Sequence, residues 1–194
     1  MSKDDLLKHI ADTGYNVGFG AKKHFATYDI VCKVPGLIGT FSTLVGVYAL
    51  VYDTLSAKGL SATLVALGIV GLMIAFYDKE KDHYEDAGKK LTQLFNRLKV
   101  LYSNVKDASS EELEAFKSEL NQIEDEFYKT GISKQILFSG WFAHLKFFGE
   151  HQIDWIDEQK HFKLLKDKIP ASLSAIVLSI AVIGLALLIK RYFL

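Results

Sequence analysis

The chain has little cysteine and proline, and it has no excess of charge of either sign. Its one cysteine, Cys32, has no second cysteine with which to form an intramolecular disulfide or a cysteine metal site. The 23 lysine and arginine residues equal the 23 aspartate and glutamate residues, whereas proteins that bind nucleic acid usually have a basic surface. We therefore expect no disulfide within the chain and no nucleic-acid partner.

Sequence motifs of catalysis are also missing. The patterns G-x-S-x-G, H-E-x-x-H and G-x-x-x-x-G-K-[ST] do not occur. Glu80 and Glu158 each begin a Glu-x-x-His run with the spacing of di-iron ligands, but both runs lie among many other charges. A solvated helix face explains these runs more simply. We predict that the chain is not an enzyme and that it has no catalytic residue, cofactor or metal site.

Long runs of uncharged residues are present instead. The runs 36–52 and 60–77 each nearly span the roughly 30 Å hydrocarbon core of a bilayer, because a helix rises about 1.5 Å per residue. Only residues 53–59 separate them, which is enough for a tight turn. We predict an antiparallel two-helix transmembrane hairpin at residues 35–77, and a buried hairpin of a soluble protein is the alternative.

A third uncharged run, residues 169–189, is long enough to cross a bilayer unaided. It predicts a C-terminal transmembrane helix at residues 169–194. Lysines before and after the hairpin outnumber Lys58 in its turn, and positive charge favours the cytoplasmic side of a membrane. We therefore expect the N-terminal helices (1–34) and a helical domain (78–168) in the cytoplasm.

Small residues recur in these runs at spacings that let helices approach closely. The spacing favours helix packing in the membrane, but it does not distinguish contacts within one chain from contacts between subunits. The residues predicted to pack in this way are Gly39, Thr43, Ala62, Ala66, Gly71, Ala75, Ala171, Ala175 and Ser179.

The domain after the hairpin has a 3,4 alternation of apolar residues, which is typical of a coiled-coil seam. Because the alternation starts at the end of the second run, we predict an unbroken helix that couples this domain to the membrane. Ser109 and Glu112 form a capping-box pattern that opens a second helix, expected to pack on the first as an antiparallel hairpin. The predicted coupling seam consists of Tyr77, Tyr84, Ala87, Leu91, Leu94 and Leu98.

A third helix of this domain is predicted at about residues 134–166, and its apolar stripe is unusually aromatic. Trp141, Phe148 and Trp155 lie on that stripe. They either contact lipid headgroups or a partner, or they pack in the core of the domain. Both interpretations stay open.

The first 34 residues contain two short helical patterns separated by the glycine-rich residues 14–20. We interpret the glycines as a hinge and Pro35 as the end of the second helix. A phosphate-binding loop is the less favoured alternative, because no strand precedes it. Together these patterns predict an all-α integral membrane protein with a transmembrane hairpin, a cytoplasmic helical bundle or coiled-coil hairpin, and a C-terminal transmembrane helix.

Residues 15–36, YNVGFGAKKHFATYDIVCKVPG, lead directly into the hairpin and resemble the SLATT family of SMODS- and SLOG-associating two-transmembrane effector domains. Trp155-Ile156 and residues 166–170 are similar to the C-terminal half of that family. The resemblance implies an effector of bacterial antiphage defence in the inner membrane. It also implies assembly into a homo-oligomer that forms a pore or disrupts the bilayer when a nucleotide-signal synthase or sensor partner responds to infection. It implies no catalytic residues.

The third uncharged run departs from the two-helix pattern of that family. A function of another class also fits the sequence, namely a membrane scaffold or adaptor that anchors a partner protein through the aromatic helix. An effector needs its membrane helices to pack and rearrange, whereas a scaffold needs only an anchor. Substitutions at the small residues therefore discriminate between the two hypotheses.

Overall fold

The structure is all-helical in the part of the chain that it describes. The computed structural model describes residues 2–151 and 153–193, so Leu194, the last residue of the predicted C-terminal membrane helix, lies outside it. Short 3-10 turns occur at Asp53–Ser56 and Asp78–Glu80. The α-helices of the described residues are α1 (Lys3–Ala49), α2 (Lys58–Ala75), α3 (Lys81–Asp107), α4 (Leu113–Thr130), α5 (Ser139–Glu150), α6 (Asp154–Lys160), α7 (Leu164–Asp167) and α8 (Ala171–Phe193).

Helix α1 is a single helix of 47 residues, about 70 Å long at about 1.5 Å per residue. It begins with a capping box in which the Ser2 hydroxyl accepts from the Asp5 N–H and the Asp5 carboxylate accepts from the Ser2 N–H. The prediction of two short helices ending at Pro35 is wrong, because Pro35 lies inside α1. Proline removes the backbone bond to the carbonyl of Val31, and packing of α1 on both sides of Pro35 compensates for that loss.

The glycines of the predicted hinge are packing positions within α1. A Cβ atom at Gly18 would lie 2.7 Å from the ring of Phe95 and 2.9 Å from the ring of Phe147. Gly14 faces the ring of Trp155 in the same way. The hinge prediction is therefore wrong, and the helix rules out a phosphate-binding loop here. Glycine permits close approach as well as flexibility, and sequence spacing does not distinguish the two.

Helix α1 pairs along its length with an antiparallel arm made of α2 and α3. In the first half of α1, Phe25 lies against Gly88 of α3. In the second half, Ile38 lies against Gly71 of α2. Helix α1 is the first arm. Its first half and α3 pack with α4, α5 and α6 in a helical bundle, whereas its second half and α2 extend beyond that bundle.

Helix α3 carries the predicted apolar alternation on its buried face. We expected the second helix of the domain, α4, as its partner, but α1 covers most of this face. The small residues of α1 allow the larger side chains of α3 to approach, which explains this choice of partner. The buried residues of α3 are Tyr84, Ala87, Gly88, Leu91, Leu94, Phe95, Leu98, Leu101, Tyr102 and Val105.

The junction between the two halves of this arm is not one continuous α-helix. Helix α2 ends at Ala75, and the 3-10 turn Asp78–Glu80 comes before α3. The predicted unbroken helix is therefore interrupted as an α-helix by this 3-10 turn, although Lys58–Asp107 forms one helical arm. The break coincides with the change from the apolar run to a charged segment that begins at Asp78.

Helix α4 closes the bundle on the side of α3 and α1. The Ser109 hydroxyl donates to the Glu112 carboxylate at 2.8 Å, and the Ser109 N–H donates to it at 2.9 Å. This half of the predicted capping box precedes α4, which buries Leu120 and Ile123.

The predicted helix at residues 134–166 is instead the three short helices α5, α6 and α7. Helix α5 begins only after Phe138, which has φ 68°. The chain is extended at His151 between α5 and α6, and α6 ends at His161 in the left-handed conformation, φ 50°, that glycine usually occupies at the end of a helix. The prediction of one helix is therefore wrong, and no glycine or proline marks these positions in the sequence.

The parts of the arms beyond the bundle are exposed and apolar. Both arms are long and apolar enough to cross a membrane, and only 6% of the apolar window of each arm is buried. Leu37 of α1 is 67% exposed and Leu72 of α2 is 68% exposed. A buried hairpin of a soluble protein does not fit this exposure. We call residues 36–49 of α1, α2 and the described apolar part of α8 the apolar helices.

Candidate functional site

The bundle meets the apolar helices at a small apolar cluster of its own. Val31 of α1, Ile74 of α2 and Ile136 of the segment between α4 and α5 form it, and Tyr77 packs beside them. Each of the three buried residues is at most 8% exposed. We call Val31, Ile74 and Ile136 the junction cluster. Because it joins three separate parts of the chain, a shift of any one part changes its packing.

The segment 131–138, which contributes Ile136, is held on the bundle by hydrogen bonds. The Tyr84 hydroxyl donates to the Lys134 carbonyl at 2.6 Å. The Thr27 hydroxyl donates to the side-chain oxygen of Gln135 at 2.5 Å. The segment is therefore fixed by α1 on one side and by α3 on the other, although it has no regular secondary structure before Phe138.

His24 of α1 supplies a further bond to this segment. It is 5% exposed, and its Nε2 accepts from the Ile132 N–H at 3.0 Å. A backbone N–H only donates, so Nε2 is unprotonated and Nδ1 donates to the Gly20 carbonyl at 2.7 Å. Burial lowers the pKa of His24, and the nearby charge of Lys23 lowers it further, while the bond to Gly20 opposes the shift. His24 is neutral at neutral pH.

Asp29 links α1 to α5 close to the junction cluster. Its carboxylate accepts from Lys33 Nζ at 2.6 Å and from Lys146 Nζ at 2.9 Å. Burial alone raises the pKa of Asp29, but the hydrogen bonds from the two lysines outweigh burial and lower the pKa below its ordinary value. The carboxylate is therefore ionised at neutral pH and keeps both ammonium groups at the same place.

The structure places the predicted coupling seam between the bundle helices. Tyr77 is half-buried beside the junction cluster, and the other five residues are buried. Coupling itself stays a prediction. The five are Tyr84, Ala87, Leu91, Leu94 and Leu98.

The small residues predicted to pack in the membrane are mostly not in contact with another helix of this chain. Gly71 is the exception, because it faces Ile38 at a distance of ordinary van der Waals contact. Gly39 has no neighbour within 4 Å of a Cβ position. The remaining members are exposed in the single chain, and they are Thr43, Ala62, Ala66, Ala75, Ala171, Ala175 and Ser179.

The aromatic residues divide between the two interpretations. Trp155 is 8% exposed and packs in the bundle core with Phe95 and Tyr102. Phe148 packs at the edge of the same core. Trp141 lies outside it, near the start of α8, where its indole Nε1 donates to the Ser172 hydroxyl at 2.9 Å.

Sequence reasoning missed the polar residues that organise the junction. His24, Thr27 and Asp29 lie on α1 among apolar neighbours, and Gln135 lies in the segment 131–138. Their signal in the sequence is weak, because a polar residue near a predicted helix end usually faces water. Their partners are more than 100 residues away along the chain in the case of Thr27 and Asp29.

Within residues 2–151 and 153–193, no three His, Cys, Asp or Glu side chains are grouped so that they hold a metal ion. Glu158, which begins one of the Glu-x-x-His runs, instead accepts from Tyr102 at 3.0 Å and from Lys106 at 2.8 Å. This carboxylate therefore fastens α6 to α3.

Comparison with known proteins identifies the family. The family model of the SMODS and SLOG-associating 2TM effector domain 6, SLATT_6, matches residues 1–177, from the start of the chain into α8. No curated protein and no solved structure matches. The family description names an effector domain and no enzymatic activity, and together with the two apolar arms it indicates a membrane location. The resemblance seen in residues 15–36 is thus confirmed, and the chain belongs to the SLATT family of two-transmembrane effector domains.

Proposed function

We propose that this chain is the membrane effector of a bacterial antiphage defence system linked to a nucleotide signal. The apolar helices cross the inner membrane, and the bundle lies in the cytoplasm, where lysines flank the hairpin. A synthase of the signal, or a sensor that binds it, is the functional partner. When that partner responds to infection, copies of the chain oligomerise and form a pore or disrupt the membrane.

The continuity of α1 carries this proposal. One helix of 47 residues is both the centre of the bundle and the first apolar helix. A rotation or shift of its first half therefore moves its second half as a rigid extension. The junction cluster brings α2 and the segment 131–138 to the same level, so the second arm moves with the first.

The exposed small residues support assembly of several copies. Two or three helices of one chain do not enclose a pore, so any pore needs more than one subunit. Gly39 and Ala66 lie on exposed surfaces, where they let a helix of another copy approach closely. No charged residue interrupts the uncharged runs, which disfavours an ion-coupled transporter.

Helix α8 adds a third crossing in this proposal. It has 23 residues, and at about 1.5 Å per residue it is long enough for the hydrocarbon core. The family match ends at residue 177, so most of this crossing lies beyond the two-helix domain. The C-terminal end then lies on the side opposite the bundle.

An insertion in α1 tests the coupling. One alanine inserted between Pro35 and Gly36 rotates the second half of α1 by about 100° relative to the first half. Each half keeps its own sequence, and Ile38 no longer faces Gly71. In cells that carry the chain with its native neighbouring genes, we expect phage infection to depolarise the membrane with the native chain and not with the insertion variant.

The matched control is one alanine inserted between Thr54 and Leu55, in the exposed turn at the far end of the hairpin. This variant should depolarise the membrane as the native chain does. Thermal unfolding of the bundle should be the same for both insertions. Full activity of the Pro35 insertion with an intact bundle contradicts coupling through α1.

The alternative is a scaffold that anchors a partner at the membrane. The observation that favours it is the exposed apolar surface at Leu137 and Leu145, which are 74% and 69% exposed. Gly39→Leu combined with Ala66→Leu separates the two functions. An effector should lose membrane depolarisation, whereas a scaffold should still bring its partner to the membrane and keep protection against phage.

A further inference from the structure

A groove of about 760 Å³ lies between α1, α5 and the start of α8. Almost all of its surface is apolar carbon, while lysines lie at one end of it. We propose that this groove binds an anionic phospholipid of the bilayer. One acyl chain lies along the apolar walls, and the phosphate of the headgroup lies at the lysines.

The α1 wall of the groove changes from charged to apolar along the helix. Asp29 and Lys33 line the end near the bundle, and Val34 and Leu37 continue the same wall toward the apolar helices. This order matches the order of a phospholipid, whose headgroup lies at the surface of the bilayer and whose chains lie within it. A lipid therefore enters the groove without leaving its leaflet.

The charged end carries excess positive charge. Lys33 and Lys168 line the groove, and Lys146 reaches the same place through its bond to Asp29. Lys33 and Lys146 pair with Asp29, and Lys168 lines the same groove, so these four residues leave two positive charges in excess. Each ammonium group has three N–H donors, and Asp29 uses one from each of its two lysines. The other donors remain for phosphate oxygens, which is the usual way that basic pockets of membrane proteins recognise anionic headgroups.

The wall formed by α5 and the preceding residue Phe138 has large apolar side chains that are exposed in the single chain. Phe138 is 55% exposed and Leu145 is 69% exposed. The polar edge of Trp141 is satisfied by Ser172, so its ring carbons form part of the wall. This surface continues into the exposed apolar side chains of α1 and α8, such as Leu37 and Leu178. A bilayer lipid covers such a continuous surface, whereas a soluble anion leaves the apolar walls uncovered.

Brominated lipids test the proposal, because bromine quenches tryptophan fluorescence at short range. The full chain is reconstituted in phosphatidylcholine vesicles that contain equal fractions of either dibrominated phosphatidylglycerol or dibrominated phosphatidylcholine. Trp155, buried in the bundle core, serves as the unquenched reference, and Trp141→Phe gives the share of Trp141. Quenching of Trp141 gives an apparent binding constant for each brominated lipid. We expect the constant for phosphatidylglycerol to exceed that for phosphatidylcholine by about five-fold for each excess positive charge of the groove.

The paired variant Lys33→Gln/Lys168→Gln should lose this preference. The control Lys117→Gln/Lys129→Gln makes the same change of charge on α4 and should keep it. Equal quenching of Trp141 by both brominated lipids overturns the headgroup assignment. Protection of Trp141 from both lipids overturns a lipid as the occupant of the groove.

Lipid that co-purifies with the native full chain gives a second measurement, which needs no substitution of tryptophan. Mass spectrometry of the purified protein should show phosphatidylglycerol enriched over its fraction in the membrane, and the Lys33→Gln/Lys168→Gln protein should show less of it. Co-purified lipid with the composition of the bulk membrane contradicts the proposal. Neither measurement depends on effector activity.

Discussion

The two halves of α1 use the same kind of residue in opposite ways. In the first half, Gly18 lies so close to the rings of Phe95 and Phe147 that it leaves no room for a side chain. In the second half, Gly39 and Gly46 have nothing within 4 Å of a Cβ position. Gly18 in the bundle is thus in contact with other helices of the same chain. Gly39 and Gly46 in the apolar half have no such contact, so a helix of another copy can approach them closely.

The two halves of α1 pack differently because they are expected to lie in different solvents, water for the first half and the bilayer for the second. In water, burying apolar side chains drives the first half of α1 against α3 and α6. In a bilayer, lipid tails are as apolar as the side chains, so helices associate only where shape and small residues allow close contact. A few contacts such as Ile38 with Gly71 then suffice for the hairpin. The apolar half is free to repack at low cost, and the bundle is not.

Truncation of a large side chain should give the largest difference in stability between the bundle and the apolar helices. Leu98 of α3 is 0% exposed in the bundle core, and Leu72 of α2 is 68% exposed. We expect Leu98→Ala to lower the free energy of unfolding by about 2–5 kcal/mol, because it removes buried contacts and leaves a cavity. Leu72→Ala should change it by less than about 0.5 kcal/mol.

Thermal and urea unfolding of the full chain in one detergent, followed by circular dichroism, measure both variants. Both replace leucine with alanine in a helix, so helix propensity is the same in the two. Similar losses for Leu98→Ala and Leu72→Ala contradict the contrast, because they show that the apolar half is packed as tightly as the bundle.

Addition of a methyl group sharpens the same comparison. Gly18→Ala places a Cβ atom 2.7 Å from Phe95, between two buried rings that have little room to move. We expect a loss of about 1–3 kcal/mol from overpacking. Gly46→Ala meets no neighbour and should leave the stability unchanged or raise it slightly, since alanine is the better helix former. Unfolding of the two variants, side by side, gives the answer, and stabilisation by Gly18→Ala contradicts the packing role.

Periodicity predicted the regular parts of the fold. The alternation from Tyr84 to Leu98 identified the buried face of α3, and the uncharged runs identified the apolar parts of α1 and α2. These predictions work because side-chain burial repeats with the helical period. The buried partner of α3 was not predictable in this way, since an apolar face does not specify which helix covers it.

The breaks and the polar contacts were not predictable for a different reason. Pro35 and the glycines at 14–20 suggest interruptions of α1, yet tertiary packing keeps it continuous. His161 ends α6 in a left-handed conformation that is uncommon for residues other than glycine. The bond between Thr27 and Gln135 joins residues 108 positions apart. Such features depend on neighbours that are distant in sequence, which local patterns do not contain.

A smaller effect is expected from pH, and it concerns the junction. Burial lowers the pKa of His24 below the ordinary 6.5, so the unfolded chain binds a proton at a higher pH than the folded chain does. The contribution of His24 to stability is therefore complete above pH 6.5 and falls as the pH drops below it, by at most about 1.4 kcal/mol per pH unit. Lys23 and the ring of Tyr84 face His24, and neither provides a negative charge for the imidazolium.

Protonation also places a hydrogen on Nε2 and removes the bond from the Ile132 N–H, so we expect the segment 131–138 to open locally as His24 is protonated, at a pH below 6.5. Amide hydrogen exchange of Ile132 measures this opening. His151 is the matched control, because burial lowers its pKa with the same sign while it lies away from the segment. His151→Gln should reduce the loss of stability at low pH and keep the pH-dependent exchange of Ile132. His24→Gln should also reduce the loss of stability at low pH, and it should remove the pH dependence of the Ile132 protection factor. An Ile132 protection factor that stays the same as the pH is lowered through the titration of His24, after correction for the intrinsic pH dependence of exchange, means that His24 does not control the junction.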